Sequence, residues 1–222
     1  MDDMHLNSLL VFTKYPEPGH VKTRLSGSCG MVGAAYVHRI LTERTLETAT
    51  RFSRSEPVNL VIYFDGEDEC LMKDWLGSGL LYKMQTGMDL GRRMDSAFSD
   101  QFSGGSTAVV LIGVDCPELT VPLLTDAFTA LTRVDVVLGP AADGGYYLIG
   151  LCRRIPALFQ EISWGTDRVF SQTMKIIDEL GLRCFELQTL HDVDRPDDML
   201  RYPDLFPEHG GKIEDGSLFQ IP

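Results

Sequence analysis

The fold class is decided by a short apolar run and the loop behind it, Leu9-Leu10-Val11-Phe12 and then Lys14-Tyr15-Pro16-Glu17-Pro18-Gly19-His20-Val21-Lys22-Thr23-Arg24-Leu25. The apolar run is continuous rather than alternating, which predicts a strand buried on both faces of a sheet. After the loop, the residues from about 30 to 53 carry an apolar stripe with helical spacing. A buried strand followed by a long amphipathic helix is typical of a parallel α/β fold.

The rest of the chain repeats this alternation of strands and helices. The pattern predicts strands at 60–64, 108–112, 134–138, 146–151 and 184–187, helices near 67–76, 89–102, 121–131 and 167–180, and a last short helix from Pro196. Only a short Gly-rich turn precedes the strand at 146–151, so we expect it to be antiparallel. The prediction is an α/β fold with a mostly parallel central sheet and helices on both faces, formed by one domain over 1–202 with a Pro- and Gly-rich C-terminal tail over 203–222.

Composition excludes several classes of partner. The 222 residues contain 20 Lys and Arg against 32 Asp and Glu, a net charge of −12. Such an acidic chain is a poor binder of nucleic acid or of an anionic membrane surface. No run reaches the roughly 18 apolar residues of a membrane span, and the first five residues are acidic where a secretory signal is basic. Five widely spaced cysteines without a C-x-x-C motif indicate thiols in a reducing cytoplasm, so we expect a cytoplasmic protein.

The loop after the first strand is locally basic in this acidic chain. Lys14, Lys22 and Arg24 are opposed there by Glu17 alone. Such side chains can neutralise a diphosphate, and Gly19 lets the backbone come close to a ligand. The loop therefore predicts a phosphate site, with a solvated surface loop as the alternative.

Carboxylates follow two other predicted strands. Asp115 comes just after the strand at 108–112, where its oxygens suit Mg²⁺ or Mn²⁺. Its alternative is a turn in which the Asp side chain bonds its own backbone. Asp192 and Asp194 follow the last strand, two residues apart, so in an extended stretch they point the same way. We predict metal or ligand contact at Asp194 first, with the N-cap of the final helix as the alternative.

Three weaker signals complete the candidate site. Asp143, Gly144 and Gly145 follow the strand at 134–138, where the glycines leave room for a ligand ring and Asp143 could reach a ligand hydroxyl. The alternative is ordinary hairpin chemistry. Arg93 lies in the first turn of a predicted helix and is a candidate phosphate contact, with surface charge as its alternative. Trp164 is either a core residue or a wall of the acceptor site.

Four motifs together resemble a known family. They are Lys-Tyr-Pro-Glu-Pro-Gly-His-Val-Lys-Thr-Arg-Leu at 14–25, Gly-Val-Asp-Cys-Pro-Glu-Leu at 113–119, Gly-Pro-Ala-Ala-Asp-Gly-Gly-Tyr-Tyr-Leu-Ile-Gly-Leu at 139–151 and Ile-Ser-Trp-Gly-Thr-Asp at 162–167. The set resembles a family of bacterial glycosyltransferase-like proteins with the nucleotide-diphospho-sugar transferase (GT-A-like) fold, some of whose members are assigned to arsenosugar biosynthesis. The resemblance covers nearly the whole chain.

The resemblance implies where the ligands bind. It implies a nucleotide held beside the first loop and Mg²⁺ or Mn²⁺ held by Asp115 and Asp194. Cys116 and Pro117 follow Asp115, so the chain has one Asp of the Asp-x-Asp pair that is usual in glycosyltransferases of this fold. The run Asp-Val-Asp-Arg-Pro-Asp-Asp at 192–198 is also similar to the closing motif of phospholactate guanylyltransferases and of the molybdenum-cofactor nucleotidyltransferases.

The predicted function is glycosyl transfer from a nucleoside-diphosphate sugar to a small-molecule acceptor, with Asp143 as the candidate general base. The first alternative is a nucleotidyltransferase that joins a nucleoside triphosphate to a phosphorylated small molecule and releases pyrophosphate. The second is a non-catalytic nucleotide-binding module, which the single Asp at 115 leaves open. The two transferase hypotheses require the segments near 22, 115, 143 and 194 to act on one polyphosphate. The sequence predicts no particular oligomeric state.

Overall fold

The computed structural model describes residues 7–66 and 68–206. Within these ranges the strands are β1 (Asn7–Lys14), β2 (Val58–Asp65), β3 (Leu81–Met84), β4 (Val109–Ile112), β5 (Val136–Pro140), β6 (Tyr146–Leu151) and β7 (Cys184–Glu186). The α-helices are α1 (Ser26–Ser55), α2 (Glu69–Leu76), α3 (Leu90–Ser103), α4 (Val121–Ala130), α5 (Val169–Glu179) and α6 (Pro196–Met199), with short 3₁₀ helices at Thr23–Leu25 and Pro156–Phe159. In the described ranges, no helix combines the length and the apolar character that a membrane crossing requires.

All seven strands belong to one sheet, in the order β3-β2-β1-β4-β6-β5-β7. β1 pairs in parallel with both β2 and β4, and β5 pairs in parallel with β7. β6 is antiparallel to both of its neighbours, β4 and β5, as its short preceding turn predicts. The α/β class with a mostly parallel sheet is therefore confirmed.

Both faces of the sheet are buried, which explains the continuous apolar run of β1. Alternate residues of a strand point to opposite faces, so Leu9 and Val11 pack on one side and Leu10 and Phe12 on the other. The first side is covered by apolar residues of α1, α2 and α4, and the second by those of α3 and α5.

One strand was not predicted. β3 lies at an edge of the sheet, and Tyr82 is its one buried residue, while Leu81 is 60% and Met84 55% exposed. An edge strand of four residues with one buried side chain carries too little apolar pattern to stand out in the sequence. The helix predicted from about residue 30 begins earlier, at Ser26, and Gly30 interrupts it with a non-helical backbone (φ 73°, ψ 171°).

The chain divides into two compact units. Among the described residues, the first unit contains 7–15 together with 41–66 and 68–192, and so holds all seven strands of the sheet. Among the described residues, the second contains Pro16–Ile40 together with 193–206, including the basic 3₁₀ turn and α6. One domain over 1–202 stays a prediction, and the predicted tail lies outside the described residues from 207 onward.

Candidate functional site

In the first unit, the side on which successive strands are added to the sheet changes at β1. β2 and β3 follow on one side of β1, whereas β4 pairs on its other side. In open α/β sheets, ligands bind at such a switch point, outside the carboxyl ends of the two strands. Lys14 is the last residue of β1, and Asp115 is the third residue after β4. The structure therefore places these two predicted residues at the carboxyl ends of neighbouring strands, at the edge where a ligand is expected.

The loop that carries Asp115 is well anchored. Val114 and Cys116 are both buried, 4% exposed, while Asp115 between them is exposed. The Arg44 Nε donates a hydrogen bond to the carbonyl of Pro117 at 2.8 Å, which ties the loop to α1. Asp115 is thus an exposed residue in a loop whose neighbouring residues are buried and anchored.

A divalent ion at Asp115 would depend on oxygens of its ligand. Within residues 7–66 and 68–206, no group of three or more His, Cys, Asp or Glu side chains is arranged to hold a metal ion. Mg²⁺ is commonly bound by one or two carboxylates together with substrate phosphates and water. An exposed single carboxylate at the switch point is chemically suited to that mode.

Sequence reasoning missed Glu118, which joins the loop after β4 to the segment that contains His191. Its Oε2 accepts a hydrogen bond from the backbone N–H of His191 at 3.0 Å and lies 3.5 Å from the His191 Nδ1. Next to His191, Leu190 forms a parallel bridge with Ala141, and its carbonyl accepts the N–H of Ala142 at 2.9 Å. The position of Glu118 inside the 113–119 motif is the signal that could have identified it.

Asp143 takes part in the turn that contains it. Its Oδ1 accepts the N–H of Gly145 at 2.8 Å, and the Gly144 N–H bonds to the carbonyl of Ala141 at 3.1 Å. Gly144 has a left-handed backbone (φ +89°), and a Cβ there would overlap the carbonyl oxygen of Asp167. Turn chemistry and close packing therefore account for these residues locally, and their roles as base and substrate contacts stay predictions.

Trp164 packs at the start of β6. Its ring makes an edge contact with Tyr146 at a centroid distance of 6.4 Å, and a Cβ at Gly91 would lie 2.6 Å from its Nε1. Burial raises the pKa of Tyr146 far above its ordinary value, so this phenol stays neutral. Trp164 is half-buried, which is compatible with both the core and the wall interpretation.

Arg93 lies beside the ends of β2 and β3. Its Nη1 is 2.8 Å from the Asp65 Oδ2 and 3.5 Å from the Gln85 Oε1. Gln85, which sequence reasoning did not select, donates from Nε2 to the carbonyls of Thr13 at 3.2 Å and Tyr63 at 3.0 Å. Arg93 is thus held at the carboxyl edge with a carboxylate partner, and its phosphate role stays a prediction.

The second unit brings together three predicted residues. The Lys22 Nζ is 3.8 Å from the Asp194 Oδ1, and the Arg24 Nη1 contacts the Asp194 Oδ2. The Lys22 side chain is 5% exposed, against 29% for Asp194 and 62% for Arg24. Lys22 also has a left-handed backbone (φ 47°, ψ 41°), which is uncommon for a residue with a side chain. Asp194 therefore lies against the two cations that were predicted to bind phosphate.

The alternative interpretation of Asp194, as the cap of the last helix, is wrong. The N-cap of α6 is Arg195, and the Asp198 Oδ2 accepts the N–H groups of Asp194 at 3.0 Å and Arg195 at 2.7 Å. A carboxylate in the first turn reaches back to the N-terminal amides in this way. The Asp194 carboxylate is left to face Lys22 and Arg24.

Gly19 lies in a turn of the second unit. Its φ is +85°. Within the same turn, the His20 N–H donates a hydrogen bond to the carbonyl of Glu17 at 3.0 Å. The turn itself requires a glycine, so close approach to a ligand stays a prediction. It is likewise still a prediction that one polyphosphate is bound by the segments near 22, 115, 143 and 194.

Solved structures share this fold over most of the chain. A protein from Desulfovibrio desulfuricans G20, described as a proposed nucleotide-diphospho-sugar transferase, is 36% identical, with 87% of this chain and 84% of that chain covered and a TM-score of 0.81. The 4-diphosphocytidyl-2C-methyl-D-erythritol synthase of Anaerococcus prevotii DSM 20548 is 12% identical, with 91% and 97% covered and a TM-score of 0.59. Glucosyl-3-phosphoglycerate synthase of Mycobacterium tuberculosis, solved with Mn²⁺, UDP and glucosyl-3-phosphoglycerate, is 10% identical, with 89% and 75% covered and a TM-score of 0.54.

These comparisons confirm the nucleotide-diphospho-sugar transferase fold. No curated protein matches the chain with significance. A family model matches residues 48–166, more than half of the chain, and its description is "uncharacterized protein conserved in bacteria" (DUF2064). The chain, with its switch-point aspartate and basic turn, belongs to this family.

Proposed function

We propose that the protein is a glycosyltransferase that takes its glycosyl group from a nucleoside-diphosphate sugar and transfers it to a small-molecule acceptor. The observation that carries this proposal is the position of Lys14 and Asp115 at the carboxyl ends of the neighbouring strands β1 and β4, at the switch point of the sheet. The relative at 36% identity, itself a proposed nucleotide-diphospho-sugar transferase, supports the same reaction class.

The reaction needs positive charge beside the leaving group. Breaking the bond between sugar and diphosphate leaves a nucleoside diphosphate, whose developing negative charge must be stabilised in the transition state. Lys14, Lys22 and Arg24 would supply fixed positive charge toward those phosphates. Preorganised charges are effective here because they need not reorient as the bond breaks.

A divalent ion, Mg²⁺ or Mn²⁺, would be held by Asp115 and by Asp194 and would neutralise charge on the diphosphate. The exposed carboxylate of Asp115 supports this part of the proposal. Mn²⁺ and UDP occupy the structure of glucosyl-3-phosphoglycerate synthase, a protein whose likeness to this chain concerns the fold.

Asp143 would accept the proton of the acceptor hydroxyl. The Gly145 N–H fixes its Oδ1, so the carboxylate has a set orientation, and Oδ2 is the oxygen that would act as base. Gly144, Gly145 and Trp164 would border the acceptor. The half-buried indole of Trp164 offers an apolar surface to one face of a sugar ring.

Nucleotidyl transfer is the second candidate, favoured by the bond that engages Asp143 in its own turn. A phosphate nucleophile needs no general base, so this reaction makes no demand on Asp143. A triphosphate would be attacked at its α-phosphate with release of pyrophosphate, and the same cations would serve.

The two reactions are distinguished by their released products. Purified protein with Mn²⁺ is incubated with a panel of nucleoside-diphosphate sugars and, separately, with nucleoside triphosphates and sugar phosphates, and released nucleoside diphosphate and pyrophosphate are measured. We expect nucleoside diphosphate release that Asp115→Ala lowers at least about 100-fold, the order of effect when transition-state charge stabilisation is lost. The matched control is Asp126→Ala on α4, an exposed aspartate that is not a candidate site residue, which should leave release unchanged.

Other outcomes contradict the proposal. Pyrophosphate release from a triphosphate, without turnover of any diphosphate sugar, would establish the second candidate instead. Nucleotide binding without turnover in either assay would identify a binding module.

A further inference from the structure

We propose that Asp194 is a built-in counter-anion of the cation pair Lys22 and Arg24, and that its carboxylate makes this pair prefer a polyphosphate complexed with a divalent ion over the metal-free polyphosphate. The inference deepens the proposed function and rests on one part of it, namely that the pair binds phosphate. It makes Asp194 a specificity-determining residue.

The carboxylate lies against both cations, where an anionic ligand of this pair would bind. Its two oxygens are divided between the cations, with Oδ1 3.8 Å from the Lys22 Nζ and Oδ2 in contact with the Arg24 Nη1. The Lys22 side chain is only 5% exposed, so water solvates its ammonium poorly. A buried charge needs a counter-charge, and Asp194 provides one.

The backbone on both sides holds this arrangement. Lys22 keeps a left-handed conformation that residues with a Cβ rarely adopt, and such strain persists where the surrounding structure imposes it. On the other side, the Asp198 carboxylate accepts the N–H groups of Asp194 and Arg195, so the helix start does not compete for the Asp194 side chain. The three charges are therefore held toward one another.

Charge balance then determines which ligand is accepted. The Asp194 carboxylate offsets part of the positive charge of Lys22 and Arg24, while a metal-free pyrophosphate group carries several negative charges. That ligand must approach the Asp194 carboxylate, and juxtaposed like charges disfavour binding. A divalent ion on the ligand offsets two of its negative charges and is attracted by the same carboxylate. One residue thus repels the metal-free ligand and favours its metal complex.

The test uses the full-length protein and inorganic pyrophosphate as the probe, by isothermal titration in EDTA and again in excess Mn²⁺. We expect the wild type to bind far more tightly with Mn²⁺. In Asp194→Asn, we expect metal-free pyrophosphate to bind about tenfold more tightly, equivalent to about 1.4 kcal/mol, and the preference for Mn²⁺ to shrink. The matched control is Asp197→Asn, an exposed aspartate in the first turn of α6 with the same charge change, which should shift binding less than about twofold.

An unchanged or weaker metal-free affinity in Asp194→Asn would overturn the inference and leave Asp194 as a metal ligand at most. Should this variant fail to fold, Arg24→Gln replaces a side chain that is 62% exposed. In this variant Lys22 opposes Asp194 without the help of Arg24. The affinity for metal-free pyrophosphate should therefore fall more than the affinity for pyrophosphate in Mn²⁺. Equal losses would contradict the inference.

The readout separates this inference from the proposed function, because pyrophosphate binding requires no turnover. Binding that shifts as expected, without turnover of any nucleotide sugar, would support the role of Asp194 and contradict the glycosyltransferase. If neither wild type nor Asp194→Asn binds pyrophosphate with or without Mn²⁺, the cation pair is not a phosphate site and the inference is wrong.

Discussion

Lys22 combines three properties that rarely occur in one residue: a buried ammonium, an ion pair with Asp194 and a left-handed backbone. A left-handed conformation costs a residue with a Cβ about 1–2 kcal/mol, and a glycine at this position would avoid that cost. A lysine supplies a charge at this position that glycine cannot supply, which agrees with the proposed role of Lys22 in binding phosphate.

This cost is measurable without any ligand. Both Lys22→Gly and Lys22→Ala remove the ammonium, but only alanine keeps the left-handed strain. Glycine loses about 0.4–1 kcal/mol through the entropy of its unfolded chain, so we expect Lys22→Gly to be the more stable by about 0.5–1 kcal/mol. Urea denaturation measures the difference.

The control pair is Thr23→Gly and Thr23→Ala in the adjoining 3₁₀ helix, where φ is not positive and alanine should be the more stable. A Lys22→Ala variant as stable as Lys22→Gly would show that the backbone at this position is not strained.

At the scale of elements, Asp135, which directly precedes β5, forms hydrogen bonds that hold the start of the short strand β7. The Asp135 Oδ2 accepts the backbone N–H of Arg183 at 3.0 Å, and its Oδ1 accepts from the Arg153 Nη2 at 3.3 Å. These bonds join the chain just before β5, just after β6 and just before β7. A three-residue edge strand makes few ladder bonds of its own, so this side-chain junction stabilises it.

The junction makes stability depend on pH. The N–H of Arg183, and then the Arg153 and Arg183 guanidiniums, outweigh the opposing effect of burial and hold the pKa of Asp135 below its ordinary value. A depressed pKa in the folded state contributes stability that is present above the unfolded pKa, about 3.9, and lost as pH falls through the folded pKa. We expect Asp135→Asn to cost about 1–2 kcal/mol at pH 7, the loss of charged hydrogen bonds, and less at pH 3.

Urea denaturation of the wild type and this variant at the two pH values measures the effect, with Asp126→Asn as the control for removal of an exposed carboxylate. A cost that is equal at pH 7 and pH 3 would show that the Asp135 charge contributes nothing to the junction.

At the scale of the whole molecule, the candidate residues are distributed over two units. Lys14, Asp115, Asp143 and the Glu118–His191 contact belong to the first, and Lys22, Arg24 and Asp194 to the second. Chemistry alone predicts that both groups act on one polyphosphate.

A double-mutant cycle tests this prediction. Nucleoside diphosphate affinity in Mn²⁺ is measured for wild type, Asp115→Ala, Lys22→Ala and the double variant. If both residues act on one ligand, we expect the two losses to differ from additivity by more than about 0.5 kcal/mol. The cycle of Asp126→Ala with Lys22→Ala should be additive, and additivity in both cycles would assign the two residues to separate functions.

The fold could be predicted from particular local patterns. Leu9–Phe12 and Ala108–Ile112 are unbroken apolar runs, and such runs specify buried strands whatever lies elsewhere in the chain. The short turn before Tyr146 likewise predicted the antiparallel β6. β3 was missed because its single buried side chain, Tyr82, leaves no such pattern.

By itself, the sequence determined the strand and helix pattern, the family and the residues that follow each strand. Only the tertiary structure decided what those side chains contact: Asp194 pairs with Arg24 across 170 positions of the chain, and Glu118 binds His191 across 73. Propensity and periodicity act over a few residues, within one turn or one strand, and therefore specify elements. The partner of a carboxylate depends on which distant segments the folded chain brings within about 3 Å, and no local pattern carries that information.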